Sequence, residues 1–217
     1  MKASLPAGLY VITDSGLCAS AGLLAAVSAA IDGGAVIVQY RDKSGDAQRR
    51  RDEAAALVGL CAERGVVSII NDDVGLAVET DADGVHLGGD DANPAEARTR
   101  LGNDALIGVS CYDSLALART AKAAGCDYVA FGSAYPSPTK PGAVHAPLDV
   151  YRRAAAELDV PIVAIGGITP ANAVPLVEAG CRAVAVISGV FGTDDIHAAA
   201  RAYAVCFGHQ ADADRLE

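Results

Sequence analysis

Tryptophan is absent from the 217 residues, phenylalanine occurs three times and methionine once, so few large side chains are available to fill an interior. The core has to be assembled mainly from Ala, Val, Leu and Ile, within a hydrophobic fraction of 52%. Such residues suit parallel strands covered on both faces by helices, and they favour an α/β architecture over an all-β one. Cations are scarce as well: 17 Lys and Arg face 27 Asp and Glu, for a formal net charge of −10. That balance repels nucleic acid and anionic lipid, and the chain's basic run is confined to Arg49 to Arg51. Neither nucleic acid nor a membrane is therefore an expected partner, and an anionic small molecule would need cations or a metal ion gathered locally.

Other signals are missing too. The six cysteines, at positions 18, 61, 111, 126, 181 and 206, form no CxxC pair, which leaves no zinc ribbon or redox dithiol and reads as free, mostly buried thiols. The longest charge-free stretches, 15–31 and 160–177, are interrupted by Ser and Gly or by Gly-Gly and proline, unlike a membrane span. The N-terminus carries no basic region followed by an apolar one, so a cytoplasmic protein is expected. No GxGxxG follows the first strand-like run, and no low-complexity linker or shift in composition divides the chain. Residues 1–217 are expected to form a single domain. A homo-oligomer is compatible with the sequence, which fixes no subunit number.

What is present is regular. Eight β-rich runs recur, at 9–13, 36–41, 66–71, 84–87, 106–110, 128–132, 161–166 and 183–188, mostly as continuous apolar stretches. Helical spacing lies between them, as in Ala54, Leu57, Val58 and Cys61, which fall on one face. Asn93 with Pro94 and Glu96, and Thr169 with Pro170, mark helix starts, and Gly180 marks a stop. Eight βα units in a chain of this length point to an α/β fold of the (β/α)8 TIM-barrel type, with an open doubly wound sheet as the rival.

In such barrels the active site lies at the carboxyl ends of the strands. There the sequence places Gln39-Tyr40-Arg41-Asp42-Lys43, Asn71-Asp72-Asp73, Gly88-Gly89-Asp90-Asp91, Ser110-Cys111-Tyr112, Ser137-Pro138-Thr139-Lys140, Gly166-Gly167 and Ile187-Ser188-Gly189. Asp72 and Asp91 follow neighbouring strands, about 4.8 Å apart, so both carboxylates reach one cation, and Mg2+ is the natural choice beside a diphosphate. Taken alone, an Asp pair more often caps a helix or faces water, and each lone cation is more often a solvated surface residue. Arg41, Lys43 and Lys140, brought to one mouth, tip the balance toward a diphosphate site. Gly166-Gly167 and Ser188-Gly189 match a second phosphate cradle after the last two strands, although ordinary turns also favour glycine. The stretch 133–147, with four prolines, reads as a semi-rigid lid or a static cover.

These segments carry a resemblance. VQYRDK, IINDD, ADGVHLGGDD, IGVS, DYVAFG, SPTK and VAIGGI occur in order, and from Tyr10 to Ser188 the chain resembles the thiamine-phosphate synthase family. The resemblance implies condensation of an aminomethylpyrimidine diphosphate with a thiazole phosphate, releasing pyrophosphate. It also implies that Gln39, Tyr40, Arg41, Asp42, Lys43, Asn71, Ser110 and Lys140 contact the pyrimidine diphosphate. Ser137, Pro138, Thr139, Gly167, Ile187 and Ser188 would hold the thiazole phosphate, and Asp72 and Asp91 would bind Mg2+. The chain departs from the family pattern in four places: SPTK stands where many members have TxTK, Cys111-Tyr112 replaces a common Thr-His pair, Tyr40 a frequent Leu, and Gly89 a frequent Gln. His86 is expected to be a satisfied packing residue, and His145, His197 and His209 show no triad or metal spacing.

Two alternatives compete. A thiazole tautomerase-like isomerase on the same barrel would not need the diphosphate apparatus. A non-catalytic barrel binding a phosphorylated metabolite would keep the glycine cradle and lose the acids and lysines, all of which this sequence retains.

Overall fold

Strands that are apolar on both faces need a helix layer outside and a filled interior within, and closing the sheet on itself supplies both. The computed structural model describes residues 4–88, 93–136 and 144–208. Their strands are β1 (Gly8–Ile12), β2 (Ala35–Tyr40), β3 (Val67–Asn71), β4 (Gly84–Leu87), β5 (Leu106–Tyr112), β6 (Tyr128–Phe131), β7 (Ile162–Ile165) and β8 (Ala183–Val186). Helices α1 (Leu23–Asp32), α2 (Ala47–Arg64), α3 (Val74–Thr80), α4 (Pro94–Leu101), α5 (Leu115–Ala123), α6 (Leu148–Glu157) and α7 (Pro170–Glu178) follow the strands in turn. After β8 come a four-residue helix α8 (Ser188–Phe191) and α9 (Ile196–Ala204). Every neighbouring strand pair is parallel, and β8 pairs with β1 to close the barrel. Among the described residues no helix is long and apolar enough to cross a membrane.

The helix starts follow local chemistry. Asn93 caps α4 by accepting the Ala95 N–H, with Pro94 in the first turn, and Asn172 reaches back to accept the Thr169 N–H ahead of α7. Ala54, Leu57, Val58 and Cys61 form the buried face of α2. The α7 helix ends at Glu178, two residues short of Gly180, which takes a positive φ of 95° in the turn that follows.

Successive strand residues point to opposite faces, and the closed sheet turns that alternation into two cores. Tyr10, Ile12, Ile37, Ile69, Leu106, Tyr128, Ala130, Val163, Ala183 and Ala185 fill the interior. Their neighbours Val11, Val38, Tyr40, Ile70, Val85, Ile107, Cys111, Val129 and Val184 pack outward against the helices.

At the amino end of the barrel two aspartates clamp adjacent strands. The Asp83 carboxylate accepts the Ser68 N–H at 2.7 Å and the Ser68 hydroxyl at 2.8 Å, while Asp127 accepts the Ile107 N–H at 2.7 Å and pairs with Arg98. Asp83→Ala strips the buried Ser68 amide of its partner, and a loss of about 1–3 kcal/mol is expected in urea unfolding followed by circular dichroism. Burial also pushes the Cys61, Cys111 and Cys181 thiols up to about 12 from their ordinary 9.0, and raises the Tyr10 and Tyr128 phenols above theirs. These groups stay neutral when folded and ionise more easily when unfolded, so the stability they provide is complete below the unfolded values. It is lost as pH rises through about 9–12 for the thiols, with the phenols adding to the loss from about 10 upward. The urea midpoint is expected to fall steadily above pH 9; a midpoint that holds or climbs there contradicts the assignment.

Candidate active site

Because side chains alternate, the interior receives Gln39 from β2, Asn71 from β3, His86 from β4 and Ser110 from β5, each near the carboxyl end of its strand. Hydrogen bonds join three of these interior polar groups to two tyrosines deeper in the barrel. The Gln39 amide donates from Nε2 to Tyr10 Oη at 2.6 Å, and the Tyr10 and Tyr128 hydroxyls lie 3.1 Å apart. Tyr128 Oη is 3.1 Å from His86 Nδ1, and His86 Nε2 is 2.9 Å from Ser110 Oγ. The His86 and Tyr128 rings stack at 5.5 Å, and Tyr10 meets Tyr128 edge-on at 6.4 Å. Gly108 makes room for this arrangement, since a Cβ there would lie 2.0 Å from the Tyr128 ring.

At the rim, the end of β1 fixes the end of β2. The buried Thr13 donates its N–H to Gln39 O at 2.9 Å and accepts the Arg41 N–H on its hydroxyl at 2.9 Å. Arg41 thus leaves the sheet from a held position, half-buried, with Lys43 exposed beyond it. Among the described residues no carboxylate pairs with either cation.

The side chains around these two cations are held by the protein itself. Tyr40 follows Gln39 directly and so faces the opposite way: it packs in the outer core and donates its hydroxyl to Glu53 of α2 at 2.9 Å. The two-residue period of the strand thus sends the side chain of Tyr40, expected to contact the pyrimidine diphosphate, into the helix layer. Asp42 is likewise engaged, with a buried carboxylate that accepts the Ser44 N–H at 2.7 Å, the Ser44 hydroxyl at 2.9 Å and the Arg49 guanidinium at 2.6 Å. Burial alone would raise its pKa, but these donors outweigh it and hold the carboxyl below the usual range. Asp42 therefore ties the loop after β2 to the start of α2.

After β3, Asp72 takes a left-handed φ of 63°, donates its N–H to His86 O at 2.8 Å and accepts the Asn71 amide on its carboxylate at 2.5 Å. Asp73 instead caps α3 at the Leu76 N–H and pairs with Arg50. The acidic pair after β3 is thus split, one member at the barrel mouth and one in the helix layer. A carboxylate oxygen steadied by an amide is the hard donor that Mg2+ prefers, so Asp72 fits such an ion. Asp91 lies outside the described residues.

On the far side, Gly166 and Gly167 adopt φ of 98° and 63°. A Cβ on Gly167 would sit 2.5 Å from Tyr135 O and 2.7 Å from Pro136 O, so only glycine lets the two loops meet. The Asn172 side chain ties Gly167 O to the start of α7, donating to it at 3.1 Å. Ile187 packs on the interior core and Ser188 opens α8, exposed, placing both beside Gly167 at the tops of adjacent strands. Ser137, Pro138, Thr139 and Lys140 lie outside the described residues, as does the centre of the expected lid. Its flanks are pinned: Ser133 N–H donates to Val144 O, Ala146 N–H to Ser133 O, and the Tyr135 hydroxyl to Asn172 O.

His86 is bonded at both ring nitrogens, as expected of a satisfied residue, yet it also connects two parts of the site. Tyr10, Tyr128 and Thr13 escaped the reading of the sequence. The signal for the tyrosines was their parity with Gln39 and Ser110 along otherwise apolar strands.

A family model described as "Thiamine monophosphate synthase" matches residues 9–190. The thiamine-phosphate synthase of Chromobacterium violaceum is 57% identical over 201 residues, covering 93% of this chain and 96% of that one. The thiamine-phosphate synthase of an Azoarcus species is 54% identical over 200 residues, covering 92% and 97%. Among solved structures, the thiamine phosphate pyrophosphorylase of Pyrococcus furiosus superposes with a TM-score of 0.85 at 32% identity, over 93% of this chain and 96% of that one. An eight-stranded barrel with inward polar residues at its carboxyl end, matched over most of its length by these relatives, belongs to the thiamine monophosphate synthase family.

Proposed function

We propose that this chain is a transferase of thiamine biosynthesis that joins 4-amino-2-methyl-5-(diphosphooxymethyl)pyrimidine to 4-methyl-5-(2-phosphooxyethyl)thiazole, forming thiamine phosphate and pyrophosphate. The observation that carries it is the placing of Gln39, Asn71 and Ser110 on the interior face near the carboxyl ends of β2, β3 and β5, with Arg41 and Lys43 in the loop after β2, in a chain of this family. Membership in the family favours this reaction over the tautomerase and the non-catalytic barrel.

The reaction needs no protein nucleophile. The bond between the pyrimidine methylene and the diphosphate oxygen breaks, its electron pair leaves with diphosphate, and the electron-rich aminopyrimidine ring spreads the cation that remains. The thiazole nitrogen then donates its lone pair to the methylene carbon to form the new C–N bond. The chain's part is alignment and charge: Arg41, Lys43 and Lys140 face the leaving diphosphate, while Gln39, Asn71 and Ser110 orient the pyrimidine. Gly167, Ile187 and Ser188, with Ser137 and Thr139, hold the thiazole phosphate so that its ring meets the methylene. Asp72 and Asp91 would hold Mg2+, which neutralises charge developing on the departing diphosphate. A cytoplasmic location fits an enzyme acting on such small phosphorylated metabolites.

Purified protein given both substrates is expected to release thiamine phosphate and pyrophosphate in equal amounts, and only with Mg2+. Isomerisation of the thiazole without pyrophosphate would favour the tautomerase. Asp91→Ala should reduce turnover by about two orders of magnitude or more and abolish its response to added Mg2+; turnover that keeps its magnesium dependence removes Asp91 as a ligand. Cys111 packs in the outer core, away from the interior that holds Ser110. Cys111→Ser should therefore keep kcat/KM within about tenfold, or about 1.4 kcal/mol, of the parent in steady-state kinetics.

A further inference from the structure

Five polar side chains run across the barrel interior in one line: Gln39, Tyr10, Tyr128, His86 and Ser110. Each hydroxyl in the line has one proton to give, and the amide nitrogen at its head can only give. Gln39 therefore sets the direction. Tyr10 Oη accepts from Gln39 Nε2 and has its own proton to place; Tyr128 Oη, 3.1 Å away, is the partner at hand for it. Tyr128 then has to place its proton on His86 Nδ1, 3.1 Å away, which leaves the neutral ring protonated at Nε2. From there the ring donates to Ser110 Oγ at 2.9 Å. The reverse order would strand the Tyr10 proton inside a fully buried site, at the cost of an unsatisfied donor. Ser110 Oγ accepts one hydrogen bond from His86 and keeps its own proton for whatever enters the mouth.

We propose that Tyr10, Tyr128 and His86 are positioning residues that fix the Ser110 hydroxyl as a hydrogen-bond donor, so that it recognises an acceptor atom on the pyrimidine substrate. Two features show that the line is built into the fold. Gly108 is bare where the Tyr128 ring crosses it, and the Tyr128 and His86 rings stack at 5.5 Å with their planes 29° apart. Burial keeps both phenols protonated well into alkaline pH, so the order does not break down near neutrality. The substrate half of the inference depends on the condensation proposed above, whereas the hydrogen-bond order does not.

The test has two arms. In 15N-labelled protein without substrate, the His86 signals, assigned by their disappearance in His86→Gln, should show a bare Nδ1 and a protonated Nε2. In Tyr128→Phe the two shifts should move toward each other as the tautomers mix. In the kinetic arm, Tyr128→Phe should lower kcat/KM about tenfold in the parent but less than about twofold in a Ser110→Ala background, because its effect passes through that hydroxyl. Tyr10→Phe, which breaks the line one link earlier, should show the same non-additivity and serves if Tyr128→Phe does not fold. A ring protonated at Nδ1 or at both nitrogens in the parent overturns the proposed order. Losses that add in full with Ser110→Ala overturn the positioning role. Parent protein that makes no thiamine phosphate overturns the functional reading and the substrate half together, and the nitrogen spectrum separates that outcome from a wrong hydrogen-bond order.

Discussion

A closed sheet of parallel strands leaves each side chain two destinations, the interior or the helix layer, and neighbours in sequence take different ones except where the register shifts, as at Val36 and Ile37. A polar residue sent inward has no water to bond and must find a partner across the barrel. In this chain that requirement gathers residues from β1, β2, β4, β5 and β6 into one hydrogen-bonded line beneath the mouth. The floor of the site is therefore ordered by the same constraint that sorts the two cores.

The two ends of the barrel spend their polar residues differently. At the amino end, Asp83 and Asp127 bond backbone amides of adjacent strands and so hold register. At the carboxyl end, Thr13 secures Arg41 and Asn71 steadies Asp72, while the charges of Arg41 and Lys43 go unmatched by any described carboxylate. Cations kept apart from acids are suited to an anion brought by the substrate. The charge of Asp42, next to both, is matched by Arg49 and Ser44.

The strands and their order were legible in the sequence because near-continuous Val, Ile and Ala runs have few other uses, and the observed bounds fall within a few residues of those expected. Gln39, Asn71 and Ser110 were also legible, as polar residues ending apolar strands. Tyr40 was not, because a run of residues matching a family pattern reads as continuous whereas the pleat divides it. The bonds of Asp42 were hidden for another reason: a carboxylate in a loop looks the same in sequence whether it is open or folds back on its own turn. The interior tyrosines were hidden by chemistry. A phenol in an apolar strand passes for core until its hydroxyl partner, distant along the chain, is known.

Gly108 and Tyr128 occupy facing positions on adjoining strands, and one exists in the form it does because the other fills the space. A side chain gained at 108 would evict the ring at 128, and with it the support for the imidazole. A larger residue at 108 thus requires a smaller one at 128, which confines the drift of the pocket floor.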